Sequence, residues 1–168
     1  MKRIIPLVIV MVMLLALAGC GHSGRGAARE DREELLGGHV VPERNWNIVN
    51  ETEVGGYLVS AYASNDKSGL AVFAANKNGG YEFEHATTAN TNDIIVTNDF
   101  WNATHYDLIW FNGAQTEYAE VIYTIDGKQQ DALRFDTTDM DIIVNPSPAK
   151  EYSLQVIYYD AEGNTYAY

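Results

Sequence analysis

The feature that most constrains this chain is the spacing of its apolar residues between Trp46 and Tyr168. They occur there in short runs that alternate with polar residues and are separated by Gly, Asn and Asp. Side chains alternate between the two faces of a strand, so this period of two is typical of β-structure, and no long stripe with the helical period of 3.6 is present. The pattern predicts an all-β domain, an antiparallel β-sandwich, over residues 46–168.

About ten strands are predicted, at the spacing expected of a sandwich or barrel. They cover residues 57–63, 70–75, 81–85, 93–97, 105–112, 118–125, 130–135, 141–144, 152–159 and 165–168. In the third of these strands, Tyr81, Phe83 and His85 are expected on one face. In the fifth, Leu108 and Ile109 belong to two opposite faces that are both apolar, which indicates a strand buried on both sides.

The N-terminus has a different character. Met1-Lys2-Arg3 is positively charged, residues 4–17 are apolar and uncharged, and Ala18 and Gly19 then precede Cys20. This is the layout of a signal peptide, and the apolar run is shorter than the roughly 20 residues of a membrane-spanning helix. Cleavage after Ala16-Leu17-Ala18 and retention as an uncleaved anchor remain alternatives.

Leu17-Ala18-Gly19-Cys20 resembles the lipobox of bacterial lipoproteins. The resemblance implies that residues 1–19 are a signal peptide, that a diacylglyceryl group is attached to the Cys20 sulfur, and that the Gly19–Cys20 bond is then cut. Two acyl chains suffice for stable anchoring, whereas one is marginal. The expected location is the extracytoplasmic face of the cell membrane, with the protein held through the lipid on Cys20.

Residues 20–45 are predicted to be the lipidated tether. The segment opens with Gly and other small residues, which favour flexible coil, and residues 29–36 can form one or two helical turns stopped by Gly37-Gly38. The tether is expected to lift the domain off the bilayer as a spacer. Packing of the short helix on the domain is the alternative.

The chain is strongly acidic, with 23 Asp and Glu against 11 Lys and Arg and a net charge of −12. Loss of residues 1–19 would remove Lys2 and Arg3 and leave a net charge of −14. This charge argues against nucleic acid as a partner and against electrostatic adsorption to anionic lipid. Because Cys20 is the only cysteine, the domain must be stable without a disulfide or a cysteine-ligated metal.

Residues with catalytic or ligand-binding chemistry are few. His85 and His105 are the domain's histidines, and neither has a recognisable Ser or Asp partner in the sequence, so both are interpreted as ordinary strand residues. Asp136, Asp139 and Asp141 form an oxygen-rich segment that is either a polar turn or a calcium site. No catalytic residue and no cofactor are predicted.

Phe100 and Trp101 are the remaining signal, because they fall in a polar stretch, residues 98–104, that is predicted to be a loop. Exposed loop aromatics can stack on sugars or anchor a partner, and they can also close the end of a sandwich. Both residues are therefore candidate ligand contacts.

The last predicted hairpin, from Tyr152 through Tyr159-Asp160 to Gly163-Asn164, resembles the closing hairpin of bacterial immunoglobulin-like domains. The resemblance implies that the Tyr152 hydroxyl bonds back to the preceding corner. The whole layout resembles small surface lipoproteins of Gram-positive bacteria. The resulting hypothesis is a non-catalytic lipoprotein that binds a protein or a cell-envelope component. One alternative is a glycan or small-molecule binder using aromatics near Trp101, and another is an envelope enzyme with convergent carboxylates in a cleft.

Overall fold

The structure is a computed structural model that describes residues 25–40 and 45–168. Within these ranges the chain forms one helix, α1 (Arg29–His39), followed by strands. The strands are β1 (Asn47–Val54), β2 (Tyr57–Ala63), β3 (Lys67–Ala75), β4 (Tyr81–Asn90), β5 (Ile94–Trp101), β6 (Thr104–Phe111), β7 (Tyr118–Ile125), β8 (Lys128–Gln129), β9 (Leu133–Asp136), β10 (Ile143–Pro146), β11 (Ser153–Tyr159) and β12 (Thr165–Ala167).

The strands form three antiparallel sheets, which confirms the all-β prediction. The first sheet is the meander β1-β2-β3-β4, and the second has the order β10-β6-β5. The third has the order β12-β11-β7-β8, and β9 also pairs with β7. The first sheet is therefore local in sequence, whereas the second and third are completed by strands from the C-terminal third of the chain.

Three apolar clusters show how these elements are layered. Leu36 of α1 packs with Phe73 on one face of the first sheet. Val72, from the other face, packs with Trp110 of the second sheet, and Ile109 packs with Val156 of the third. The protein is thus a stack of four layers, α1, first sheet, second sheet and third sheet, with neighbouring sheets about 10 Å apart.

Strand β6 lies in the middle of this stack. Leu108 and Trp110 are fully buried against the first sheet, while Ile109 and Phe111 are buried against the third. The prediction that this strand is buried on both sides is confirmed.

A β-bulge in β4 overturns the expected common face of Tyr81, Phe83 and His85. Phe73 pairs with Phe83 and Val72 pairs with His85, so Glu84 is an extra residue without a partner on β3. An extra residue reverses the face on which all later side chains lie. Phe83 consequently packs on the α1 side, whereas His85 lies towards β5.

The helix also differs from expectation. Instead of belonging to a spacer that ends at residue 45, α1 packs on the first sheet through Leu35 and Leu36, and it continues through Gly37 and Gly38. The helix contains few apolar residues, and the sequence therefore indicates weak docking. Buried Arg32, which pairs with Glu51 of β1, adds an attraction between the helix and the sheet that the apolar pattern does not indicate. The rest of residues 20–45 lies partly outside the described residues.

Helix α1, the one helix of the described ranges, lacks the length and apolar character needed to cross a membrane.

Candidate functional site

The most unusual side chain in the structure is Asp107, a carboxylate with no exposed surface. It lies on β6 beside Ile109, on the face directed at the third sheet. Tyr123 donates a hydrogen bond to Asp107 Oδ2 at 2.6 Å, Asn98 Nδ2 donates to Oδ1 at 2.6 Å, and the Tyr152 hydroxyl donates to Oδ1 as well. A buried carboxylate is costly unless its oxygens are hydrogen-bonded, and these three donors meet that need.

A second ring of contacts holds the donors themselves. Asn145 Nδ2 donates to the Tyr123 hydroxyl at 2.9 Å, and Asn98 Nδ2 also lies 3.0 Å from the Tyr152 hydroxyl. Tyr152 and Ser147 have their hydroxyl oxygens 3.0 Å apart. We call Asp107, Asn98, Tyr123, Asn145, Ser147 and Tyr152 the Asp107 network. It joins the second sheet, the third sheet and the loop between β10 and β11.

The contact between Tyr152 and Ser147 reaches the loop that the resemblance to immunoglobulin-like domains implied. It is a side-chain contact, however, and the chief partner of Tyr152 is Asp107 from another sheet. This contact therefore does not by itself assign an immunoglobulin-like fold.

The two phenols of the network are held in their neutral form. Burial, and then the hydrogen bond to Asp107, raise the pKa of Tyr123 well above its usual value. The same two causes, in the same order, raise the pKa of Tyr152. Both hydroxyls therefore act as donors to a carboxylate at neutral pH and are poorly suited to accept a proton from a substrate.

An open cleft of about 540 Å³ lies over this network, between the second and third sheets. Asn98, Ser147 and Tyr152 belong both to the network and to the cleft wall. The other lining residues are apolar, aromatic or charged: Val96, His105, Ala149, Lys150, Glu151, Leu154 and Tyr168. The cleft thus combines apolar surface with amide, hydroxyl and charged groups, as small-molecule and glycan sites do.

Phe100 lies at the surface and Trp101 lies in the core. The predicted loop over residues 98–104 is wrong. Strand β5 continues through Trp101, and Asn102 and Ala103, which have positive φ angles of 50° and 63°, make the turn into β6. Trp101 is only 3% exposed and stacks on Tyr57 with ring centroids 4.9 Å apart. It closes the end of the core and cannot be an exposed ligand platform.

Phe100, in contrast, is 56% exposed. Its ring centroid lies 4.5 Å from that of His105, which lines the cleft. Successive strand residues point to opposite faces, so the Phe-Trp pair is divided between surface and core. Of the two residues, only Phe100 is placed where it can contact a ligand.

The structure gives His85 a partner that the sequence did not indicate. His85 Nε2 lies 2.7 Å from Asp99 Oδ2, and Asp99 Oδ1 accepts a hydrogen bond from the backbone N–H of Phe100. The pair links β4 of the first sheet to β5 of the second. It depends on the bulge at Glu84, for which the sequence carries no readable signal.

The acidic segment after β9 is a turn that is joined to Asn50 of β1. Hydrogen bonds from the backbone N–H and the hydroxyl of Thr138 lower the pKa of Asp136. Asp141 lies 3.4 Å from the side-chain amide of Asn50, and the Asp139 carbonyl accepts from the same amide. In residues 25–40 and 45–168, no group of three or more His, Cys, Asp or Glu side chains is arranged to hold a metal ion.

The proposed lipidation residue Cys20 and the cleavage position Gly19 lie outside the described residues. Comparisons with protein-family models, with curated proteins and with solved structures found no match to this chain.

Proposed function

We propose that this protein is a lipid-anchored extracytoplasmic lipoprotein whose β-structured body binds a component of the cell envelope without transforming it. The signal-peptide layout and the Leu17-Ala18-Gly19-Cys20 sequence support the anchor and the location. The cleft over the Asp107 network supports the binding role.

The binding role is supported chiefly by the hydrogen bonds that fix the side chains of the cleft floor. Asn98 and Tyr152 face the cleft while their polar atoms are held by buried Asp107. Side chains locked in this way lose little conformational entropy when a ligand binds. A preorganised polar floor with apolar walls is what a binding site requires.

The same geometry favours binding over hydrolysis. Glycoside hydrolysis requires two carboxyl groups that face each other across the substrate. Glu151 is the one Asp or Glu among the described residues lining the cleft, and Asp107 is fully buried and already accepts hydrogen bonds from three donors. Glu151 and Asp107 therefore do not supply the general acid and the general base that hydrolysis requires.

A glycan is the second candidate ligand, and exposed Phe100 favours it. Phe100 and His105 form an aromatic surface beside the cleft, and Asn98 contributes an amide to its wall. Aromatic faces that stack on apolar sugar faces, with amides for the hydroxyls, are suited to a saccharide.

The anchor is tested by mass spectrometry of the protein isolated from membranes. The proposal expects an N-terminal residue 20 carrying a diacylglyceryl group. A chain that begins elsewhere, or a free Cys20 thiol, would contradict it.

The binding role is tested by affinity capture from solubilised envelope with the full-length protein as bait. The double variant Phe100→Ser/Lys150→Ala changes the aromatic rim and the cleft mouth, and Lys128→Ala on β8 is the matched control. The proposal expects a component retained by the wild type and the control and lost with the double variant. Equal retention by all three would show that the cleft is not the site. Soluble N-acetylglucosamine oligomers, tested by saturation-transfer NMR, would distinguish the glycan alternative.

A further inference from the structure

Helix α1 packs on the first sheet through Leu36, and polar contacts add to this packing. Arg29 Nε lies 3.5 Å from Glu51 Oε2, and Glu33 Oε1 accepts a hydrogen bond from the backbone N–H of Ile48 at 2.8 Å.

The shortest ion pair between the helix and the sheet is the bidentate one between Arg32 and Glu51. Arg32 Nε donates to Glu51 Oε1 at 2.9 Å, and Arg32 Nη2 donates to Oε2 at 2.7 Å. Ser60 of β2 also donates to Glu51 Oε1, at 2.7 Å. Burial alone would raise the pKa of Glu51, but the hydrogen bonds from Arg32 and Ser60 and the positive charge of Arg32 outweigh it and lower that pKa. We call the Arg32–Glu51 pair the latch.

The latch also fixes the chain upstream of the helix. The remaining guanidinium nitrogen, Arg32 Nη1, donates to the carbonyl oxygens of Gly26 and Ala27, both at 2.8 Å. The Arg25 carbonyl accepts from the backbone N–H of Tyr81 at 3.0 Å. Gly26 has a φ of +80° and lies so close to the Tyr81 backbone that a Cβ would clash with it. Residues 25–28 are therefore bound to the β4 end of the first sheet.

From these contacts we infer that the latch shortens the membrane tether to the segment between Cys20 and Arg25, and so holds the α1 side of the body next to the bilayer. This inference rests on the proposed lipid on Cys20. Five residues span at most roughly 18 Å when fully extended. A tether that ran to residue 45 would span at most roughly 90 Å by the same rule.

The short tether places the cleft as well as the body. The cleft lies between the second and third sheets, on the far side of the first sheet from α1. With about 10 Å between layers, the cleft lies at most on the order of 50 Å from the bilayer. The partner that fits this position is a component of the membrane surface or of the envelope directly above it.

The inference is tested by energy transfer between a dye on the body and an acceptor lipid in vesicles of neutral phospholipid. The lipidated full-length protein carries the donor on Lys77→Cys, an exposed position in the turn that leads to Tyr81 of the first sheet, where it is the only free thiol once Cys20 is acylated. A ten-residue Gly-Ser insertion between Gly24 and Arg25 adds a coil of about 17 Å root-mean-square length. The inference expects efficient transfer in the parent and a clear loss in the insertion variant.

Arg32→Met is the variant that releases the latch without lengthening the chain. It is expected to lose part of the transfer that the insertion loses, since the contacts of Arg25 and Glu33 with the sheet remain. Arg134→Met on β9, the same replacement in the third sheet, is expected to retain the transfer of the parent. Circular dichroism of each variant shows that the β-body remains folded. Equal transfer in the parent, the insertion variant and Arg32→Met would overturn the inference.

A second measurement separates failure of the latch from failure of the anchor. Backbone amides of residues 33–39, which have intrahelical acceptors, are expected to exchange slowly with solvent in the parent chain and at least tenfold faster in Arg32→Met. Fast exchange in the parent contradicts the latch even when Cys20 is lipidated. Slow exchange with an unlipidated Cys20 contradicts the anchor and, with it, the membrane placement inferred here.

Discussion

The two faces of β6 are both buried, but one is apolar and the other contains a hydrogen-bonded carboxylate. Towards the first sheet, Leu108 and Trp110 are fully buried among apolar neighbours such as Val72. Towards the third sheet, the equally buried Asp107 stands beside Ile109 and is held by hydrogen bonds. Around β6 the first interface is a dry, apolar core, with the polar His85–Asp99 pair at its β4–β5 edge. The second interface contains a polar network at the end where the cleft opens.

This difference indicates which of the two interfaces fixes the distances and angles of its side chains. Apolar packing is non-directional and tolerates small shifts, whereas a satisfied network of buried hydrogen bonds fixes distances and angles. Both interfaces contain a buried apolar cluster, and the polar interface in addition positions Asn98 and Tyr152 at the cleft wall. Changes on the dry side should therefore lower stability, while mild changes on the polar side should alter the cleft.

The largest effect is expected for Trp101→Ala on the dry side. Loss of a buried Trp should lower the free energy of unfolding by about 3–5 kcal/mol, because a cavity opens at the end of the core. The neighbouring Phe100→Ala, at an exposed position, should change it by less than about 0.5 kcal/mol. Urea unfolding measures both. Similar effects at the two positions would contradict the assignment of Trp101 to the core and Phe100 to the surface.

The next effect is expected for Asp107→Ala on the polar side. The substitution leaves the hydroxyls of Tyr123 and Tyr152 and the amide of Asn98 without their acceptor. Unsatisfied buried groups cost about 1–3 kcal/mol each, and partial rehydration through the cleft should limit the total to about 3 kcal/mol. Asp131→Ala, at an exposed carboxylate, is the control for lost charge. Equal stability of the two variants would show that the network contributes nothing.

The sequence predicts those parts of the structure whose signals are local in the chain. The bounds of β2 and β7, residues 57–63 and 118–125, agree with the predicted strands, because alternation and flanking turn residues are local signals. The continuation of β5 through Trp101 is not predicted, because the polar residues around Phe100 resemble a loop. Strand pairing decided that segment.

The candidate site was missed for a different reason. Asn98, Asp107, Tyr123 and Tyr152 are far apart in the sequence and meet only when the second and third sheets stack. One signal was readable: Asp107 falls on the same strand face as Ile109, and a charged residue on an apolar face calls for buried partners. Which residues those partners are cannot be read from alternation.

Alkaline titration should reveal the network through its phenols. Burial and Asp107 raise the pKa of Tyr123 and Tyr152, so folding favours the protonated phenols. Their contribution to stability is complete below the ordinary value of 10.0 and is lost as the pH rises above it. Ultraviolet absorbance of phenolate should show tyrosines that ionise only with unfolding. Because burial alone also raises the pKa of Tyr158, Tyr123→Phe and Tyr152→Phe should each remove one member of this class. Titration of all tyrosines near 10.0 in the folded chain would contradict the network.

Acid should act on the other side of the molecule, at the latch. The pKa of Glu51 is lowered in the folded chain, so its contribution is present above the ordinary value of 4.5 and is lost as the pH falls through the lowered one. Protection factors of the amides in residues 33–39, corrected for the slower intrinsic exchange in acid, should therefore fall before those of the sheets do. Glu51→Gln should show fast exchange already at neutral pH. Simultaneous opening of helix and sheets would contradict an independent latch.

The smallest effect is expected for Tyr152→Phe, which removes one donor from Asp107 and keeps the ring. The free energy of unfolding should fall by about 1 kcal/mol, since Tyr123 and Asn98 still satisfy the carboxylate. Capture of the envelope component should also weaken, because the cleft wall loses a positioned hydroxyl. The loss of capture should persist under conditions in which the variant is fully folded. A variant that binds as well as the wild type would remove Tyr152 from the site.

Site-specific photo-crosslinking in intact cells tests the central claim, that the cleft over the Asp107 network is the binding surface. A photoreactive amino acid replaces Lys150 at the cleft mouth in one strain and Lys77, in the turn between β3 and β4, in another. The account predicts a discrete adduct from position 150 that disappears with Phe100→Ser, whereas any adduct from position 77, on the side held near the bilayer, is different and is unchanged by Phe100→Ser. An adduct from position 77 alone, or the same adduct from both, would contradict it.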